Sequence, residues 1–133
     1  MVLLIVATVV GALTPSVVRT ISHARVNRAA NVVAADFMMA QSLAGRQHAP
    51  VVVAFDTTNK QTTISQPPPA STTLLTRYYG ITSEFKLRAM ASTPASVLIL
   101  PNGMSNSSIT VTVGDGSYSR QVRMTRAGQV RIL

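Results

Sequence analysis

The residues best placed to do chemistry lie at the end of the chain, in SYSRQVRMTRAGQVRIL. A three-residue turn, Arg126-Ala127-Gly128 with Gly128 left-handed, would join two strands there. That register sets Thr125 opposite Gln129, Met124 opposite Val130 and Arg123 opposite Arg131. Val122, Met124, Val130 and Ile132 then face the core, and Arg123 and Arg131 face out. Like charges directly opposed destabilise a sheet, and an anion held between them removes that penalty. Arg126 at the turn tip adds a third donor, and the planar fork of arginine takes two phosphate oxygens at once. Lys86 and Arg88, outward by alternation with Phe85, Leu87 and Ala89, extend the basic surface. The competing reading is a solvated strand face, the usual place for charge on a half-buried sheet.

Other chemistry finds little support. His23 and His48 are far apart in sequence, and a metal site needs three or four convergent ligands. Asp36, Asp56, Glu84 and Asp115 show no spacing that suggests an acid/base pair. Gly114-Asp115-Gly116 reads as a hairpin turn, since a phosphate-binding loop needs a following helix and a strand pattern follows here. The chain has no Cys, which removes thiol chemistry and disulfides. The reading is a non-enzyme with no cofactor and no metal. Lys and Arg number 12 against 4 Asp and Glu, a net charge of +8, which favours acidic partners. Aromatic residues make up only 5% of the chain, so nucleic-acid binding would be led by phosphate, weakly sequence-specific and strongly salt-dependent.

Two kinds of element must position these residues. From Met1 to Val18 no residue is charged, and as a helix that stretch spans about 27 Å, slightly short of a bilayer core of about 30 Å. It reads as a membrane anchor (residues 1–18) whose Val2, Leu3, Leu4, Ile5, Val6, Val9, Val10, Leu13 and Pro15 pack in the membrane or a filament. A cleaved signal peptide needs a basic region first, and nothing basic precedes Val2. Arg19, Arg25 and Arg28 follow the apolar run, which by the positive-inside rule alone puts that side in the cytoplasm; a basic leader upstream of Met1 would reverse it. Residues 19–48 continue as an amphipathic helix. Val26, Ala30, Val33, Phe37, Ala40 and Ala44 recur at steps of four and three and form one apolar stripe. Arg25, Arg28, Asn31, Asp36, Gln41, Ser42 and Arg46 fall largely outside it. Pro15 predicts a kink, Gly45 a helix stop, and Pro50 bars continuation.

After Pro50 the period switches to two, over residues 49–133. Strands are expected at Val51–Phe55, Gln61–Ser65, Glu84–Met90, Ser96–Leu100, Ser107–Val113, Tyr118–Thr125 and Gln129–Leu133. Leu74–Tyr79 is either a further strand or part of the Pro67-Pro68-Pro69 loop. Short antiparallel strands in sequence order imply an α+β architecture: a long N-terminal helix packed on two small antiparallel sheets.

In this layout the run PSVVRTISHARVNRAANVVAADFMMAQSLAGRQ (Pro15 to Gln47), the LPNG turn (Leu100 to Gly103), the alternating strand after it, a glycine-rich turn and a terminal Gly-x-x-Arg resemble the GspH/FimT family of pilin-like proteins. The resemblance covers essentially the whole chain. It implies a pilin-like fold and a minor pilin or pseudopilin of a type IV pilus or type II secretion filament. It also implies an inner-membrane anchor, a periplasmic head, and other pilins as partners through the N-terminal helix. Family members open with a basic leader, a peptidase site ending in Gly, an aromatic residue to be methylated and a Glu five residues in. None of these stands here, and counting back from Pro15, Met1 falls about where the eighth residue of a mature member would lie. Some FimT-type members bind DNA through a C-terminal Gly-Arg-x-Arg during natural transformation. The matching positions are Gly128, Gln129, Val130 and Arg131, with Gln in place of the first Arg. Three functions follow: a filament subunit whose head captures double-stranded DNA without sequence preference, a purely structural pseudopilin, and a signal-anchored periplasmic β domain that never assembles.

Overall fold

A helix, α1 (Val2–Gln47), carries eight strands on its second half. The computed structural model describes residues 19–133 in full and residues 2–18 by their helical backbone alone. The expectations resting on side chains 1–18, namely the anchor residues and the effect of Pro15, lie outside the described residues. Among the described residues no helix is long and apolar enough to cross a membrane.

The stripe read from spacing is the buried face of α1: Val26, Ala30, Val33, Phe37, Ala40 and Ala44 are all buried, joined by Ala29 and Ala34. Five of these eight are alanines, so the helix axis lies close to the sheets and Phe37 fills the gap, its ring 5.5 Å from that of Phe55. The helix ends two residues later than Gly45 suggests. His48 takes the left-handed conformation (φ 53°) and Ala49 N–H closes on the Ala44 carbonyl at 3.3 Å. This is the capping geometry more often given to glycine, with Pro50 enforcing the stop.

One sheet comprises β1 (Val51–Asp56), β2 (Gln61–Ser65), β3 (Thr73–Tyr78) and β5 (Ser96–Ile99) in the order β3-β2-β1-β5. The other comprises β4 (Ala89–Thr93), β6 (Ile109–Gly114), β7 (Ser119–Met124) and β8 (Val130–Ile132) in the order β4-β6-β7-β8. Neighbours in both sheets pair antiparallel. Inward residues alternate as period two demands: Val51, Val53 and Phe55 on β1, Ile109, Val111 and Val113 on β6, Val122 and Met124 on β7. The ambiguous Leu74–Tyr79 stretch is strand as far as Tyr78, where β3 ends.

Two expectations fail. Residues 84–88 form no strand, because Lys86 sits in the left-handed region (φ 50°) and breaks the ladder. Phe85 and Leu87 still point inward, but the alternation slips at Arg88–Ala89, so that Met90 rather than Ala89 is buried. Asp36, expected outside the stripe, is 1% exposed. The Nε of Arg77 lies 3.0 and 3.1 Å from its two oxygens, and the Tyr79 hydroxyl donates to Oδ2. Burial pushes the Asp36 carboxyl above its ordinary range, outweighing Tyr79 and Arg77, which pull it down. Burial, with the Asp36 charge beside it, likewise pushes the Tyr79 hydroxyl up. A buried carboxylate held by two donors ties the helix to β3 and the segment after it.

Candidate functional site

The C-terminal hairpin forms in the register its sequence implies. Val122 opposes Ile132, Arg123 opposes Arg131 and Met124 opposes Val130. Val122 and Met124 are buried, Val130 and Ile132 half-buried, and Arg123 and Arg131 exposed on the other face. The turn is closed by Thr125 N–H on the Gln129 carbonyl and Gly128 N–H on the Thr125 carbonyl, both at 2.9 Å. Gly128 has φ +90°, and a Cβ there would collide with the Gly103 carbonyl oxygen, so glycine is required twice over. Arg126 is exposed at the tip, next to exposed Gln129.

Three further contacts fix this turn in space. Gln41 on α1 donates its Nε2 to the Gly128 carbonyl at 2.7 Å and reaches the Gly103 carbonyl at 3.4 Å. Ser105 N–H donates to the Arg126 carbonyl at 2.9 Å, and the Ser105 hydroxyl approaches the Thr125 carbonyl at 3.3 Å. Ser105 also bridges Ile99 on β5, so one short segment links the two sheets at the hairpin. By type Gln41 falls outside the stripe with no role at the hairpin, and nothing in the sequence singles out Ser105. Gln41 carried a signal all the same, standing four residues after Phe37 and three before Ala44, within the stripe's own spacing. Ser105 carried none.

On the outer face of this sheet the ladder aligns Thr93, Thr110, Arg123 and Arg131 in one row. Arg123 Nε lies 3.4 Å from the Thr110 hydroxyl, a long contact that leaves most of its donors free. No carboxylate side chain neutralises the row. The four acidic residues are engaged elsewhere: Asp36 with Arg77, Glu84 with Arg28 at 3.3 Å, and Asp56 and Asp115 within their own turns. Three arginines thus stand on or beside one small-residue face, two of them directly opposed across strands about 4.5–5.5 Å apart. Such an arrangement suits the regular phosphates of a polyanion and lacks aromatic side chains on which bases would stack.

Lys86 and Arg88 are exposed but do not join this face. They line a groove with Ser22 and Arg25. Arg25 and Gln41 are sixteen residues apart on α1, or about 24 Å along its axis. The basic surface is therefore two separate clusters.

The family described as type II transport protein GspH matches residues 29–128 of the chain. No curated protein matches it. Among solved structures, the type IV minor pilin FimU of Pseudomonas aeruginosa (strain PAO1) is similar in two crystal forms. In one the TM-score is 0.68 at 17% identity, covering 84% of this chain and 90% of that one. In the other it is 0.64 at 16% identity, covering 80% and 91%. At that identity the likeness is one of fold: a helix packed on two antiparallel sheets.

Proposed function

The chain belongs to the GspH family, as a minor pilin or pseudopilin, and we propose that its C-terminal face captures double-stranded DNA for uptake. In this reading residues 1–18 anchor it in the inner membrane, with the head in the periplasm. The helix joins other pilins when the filament assembles. The observation that carries the DNA assignment is the direct opposition of Arg123 and Arg131, with no acidic side chain to relieve it. A sheet that keeps two like charges face to face forgoes stability for a charge density that a phosphate backbone would satisfy. Gly128 and Gln129 shape the turn that presents Arg126 beside them.

The test is duplex DNA binding by the full chain in detergent micelles across a salt series, beside an Arg126→Ala/Arg131→Ala variant. With three arginines engaged, the slope of log K against log salt should lie near about −2.7, and the variant should lose most of it. Absence of binding at low salt would leave a structural pseudopilin without a nucleic-acid role.

A further inference from the structure

The second basic cluster lies at the other end of the head, close to where the uncharged first eighteen residues give way to Arg19. A groove of about 390 Å³ opens between α1 and the segment 81–88, with Ser22, Arg25, Ile81, Lys86, Arg88 and Asp115 on its walls. That is the lower end of the roughly 300–1,000 Å³ found for small-ligand clefts. Three cations face one carboxylate. Oδ1 of that carboxylate already accepts from Ser117 N–H at 3.0 Å, the Ser117 hydroxyl at 3.1 Å and Tyr118 N–H at 2.8 Å. The other nearby acid, Glu84, is paired with Arg28. Among the described residues no acidic side chain lies within ion-pair distance of Arg25, Lys86 or Arg88.

Two further observations point to what the groove meets. Lys86 takes a left-handed backbone between two buried neighbours, Phe85 at 3% and Leu87 at 0% exposure. Such a conformation is uncommon for a residue with a side chain and persists only where surrounding packing imposes it. Here it sets a lysine in the groove wall. Ile81, on the rim, is 65% exposed, and Ile21, one turn before Arg25, is 45% exposed. Apolar side chains beside unpaired cations are the composition of a surface that rests on an anionic bilayer. Arg25 stands seven residues past Val18, about 10 Å along the helix, which is just outside a headgroup layer of about 5–8 Å and within reach of it for an arginine side chain if residues 1–18 lie in the hydrocarbon.

We propose that this groove binds the phosphate of an anionic phospholipid headgroup, with Arg25, Lys86 and Arg88 as donors and Ile81 dipping toward the acyl boundary. The inference rests on the anchor reading given above. It assigns the two basic clusters different polyanions, membrane at the base of the head and DNA at its far end.

Because the chain has no Cys, a single Thr82→Cys substitution reports on the groove alone. The labelled full chain is placed in phosphatidylcholine nanodiscs in which a quencher is carried on either phosphatidylglycerol or phosphatidylcholine headgroups. Quenching by phosphatidylglycerol should exceed that by phosphatidylcholine by about threefold or more at equal fraction. Lys86→Gln/Arg88→Gln should abolish the preference. Arg123→Gln/Arg131→Gln removes the same charge from the far end and should leave it intact. Equal quenching by the two lipids, or equal loss in both double variants, overturns the site. Millimolar inorganic phosphate that erases the preference would mark a free-anion groove and overturn the lipid assignment. A chain that fails to enter the discs overturns the anchor reading itself, a separate result read from disc co-purification.

Discussion

Gln41 on the helix donates its side-chain amide to the main-chain carbonyl of Gly128, 2.7 Å away and 87 positions later in the chain. The same amide lies 3.4 Å from the Gly103 carbonyl, so one helical side chain holds two turns against each other. The turn that presents Arg126 is thereby fixed to the most rigid element of the fold. A basic face held in this way pays little ordering entropy when it meets a regular polyanion.

Gly128→Ala should destabilise the head by about 2 kcal/mol, since φ +90° and the Gly103 carbonyl both exclude a Cβ. Gln41→Ala should cost about 1–2 kcal/mol through two carbonyls left without their donor. Urea unfolding of the full chain in micelles measures both. Neutral values for the pair would mean that the hairpin is not anchored by this contact.

Gln129→Arg adds a cation to an exposed position beside Gly128. If DNA lies across this face, affinity should rise and the slope of log K against log salt should steepen by about 0.9. An unchanged slope with intact binding would place the DNA elsewhere on the molecule.

The sequence made the hairpin fully legible, because a left-handed glycine between two alternating runs admits one register, and that register opposes Arg123 to Arg131. The apolar stripe of α1 was legible for the same reason of period. What the pattern hid were polar residues on the apolar face. Asp36 follows Val33 by three and precedes Ala40 by four, yet its type argued for solvent; only the later Arg77 and Tyr79 make its burial tolerable. Lys86 was misplaced onto a strand because in-out alternation survives in Phe85 and Leu87 without a ladder. The separation of Lys86 and Arg88 from the C-terminal arginines follows from the order β4-β6-β7-β8, which sets the segment before β4 and strand β8 at opposite edges of one sheet and which no local pattern encodes.

Arg131→Thr should raise stability at low salt, by about 0.2–1 kcal/mol, because it removes a like-charge cross-strand pair. The gain should fade as salt screens the repulsion. Short duplex DNA should raise the melting temperature of the parent chain more than that of the variant, a crossover visible by calorimetry. A variant less stable than the parent at every salt concentration would show that Arg131 contributes packing instead.

Asp36 contributes to the acid limb of stability with the opposite sign to Asp56 and Asp115, whose turn hydrogen bonds hold their carboxyls below the ordinary range. Its folded carboxyl titrates above the ordinary value of 3.8 because burial outweighs the Tyr79 and Arg77 contacts. The folded state therefore holds this proton more tightly than the unfolded chain does. The resulting stabilisation is fully present below 3.8 and is lost as pH rises through the raised folded value. Asp36→Asn should remove this slope, so the stability difference between parent and variant should drift over that window and flatten above it. Tyr79→Phe deletes the largest single interaction that lowers the carboxyl. It should push Asp36 higher still, widen the window and cost about 1–3 kcal/mol at neutral pH. Carboxyl-carbon NMR titration of the parent and Tyr79→Phe chains reads both shifts directly. An Asp36 that titrates below 3.8 would mean that Arg77 and Tyr79 overcome burial, and the pH slope would then run the other way.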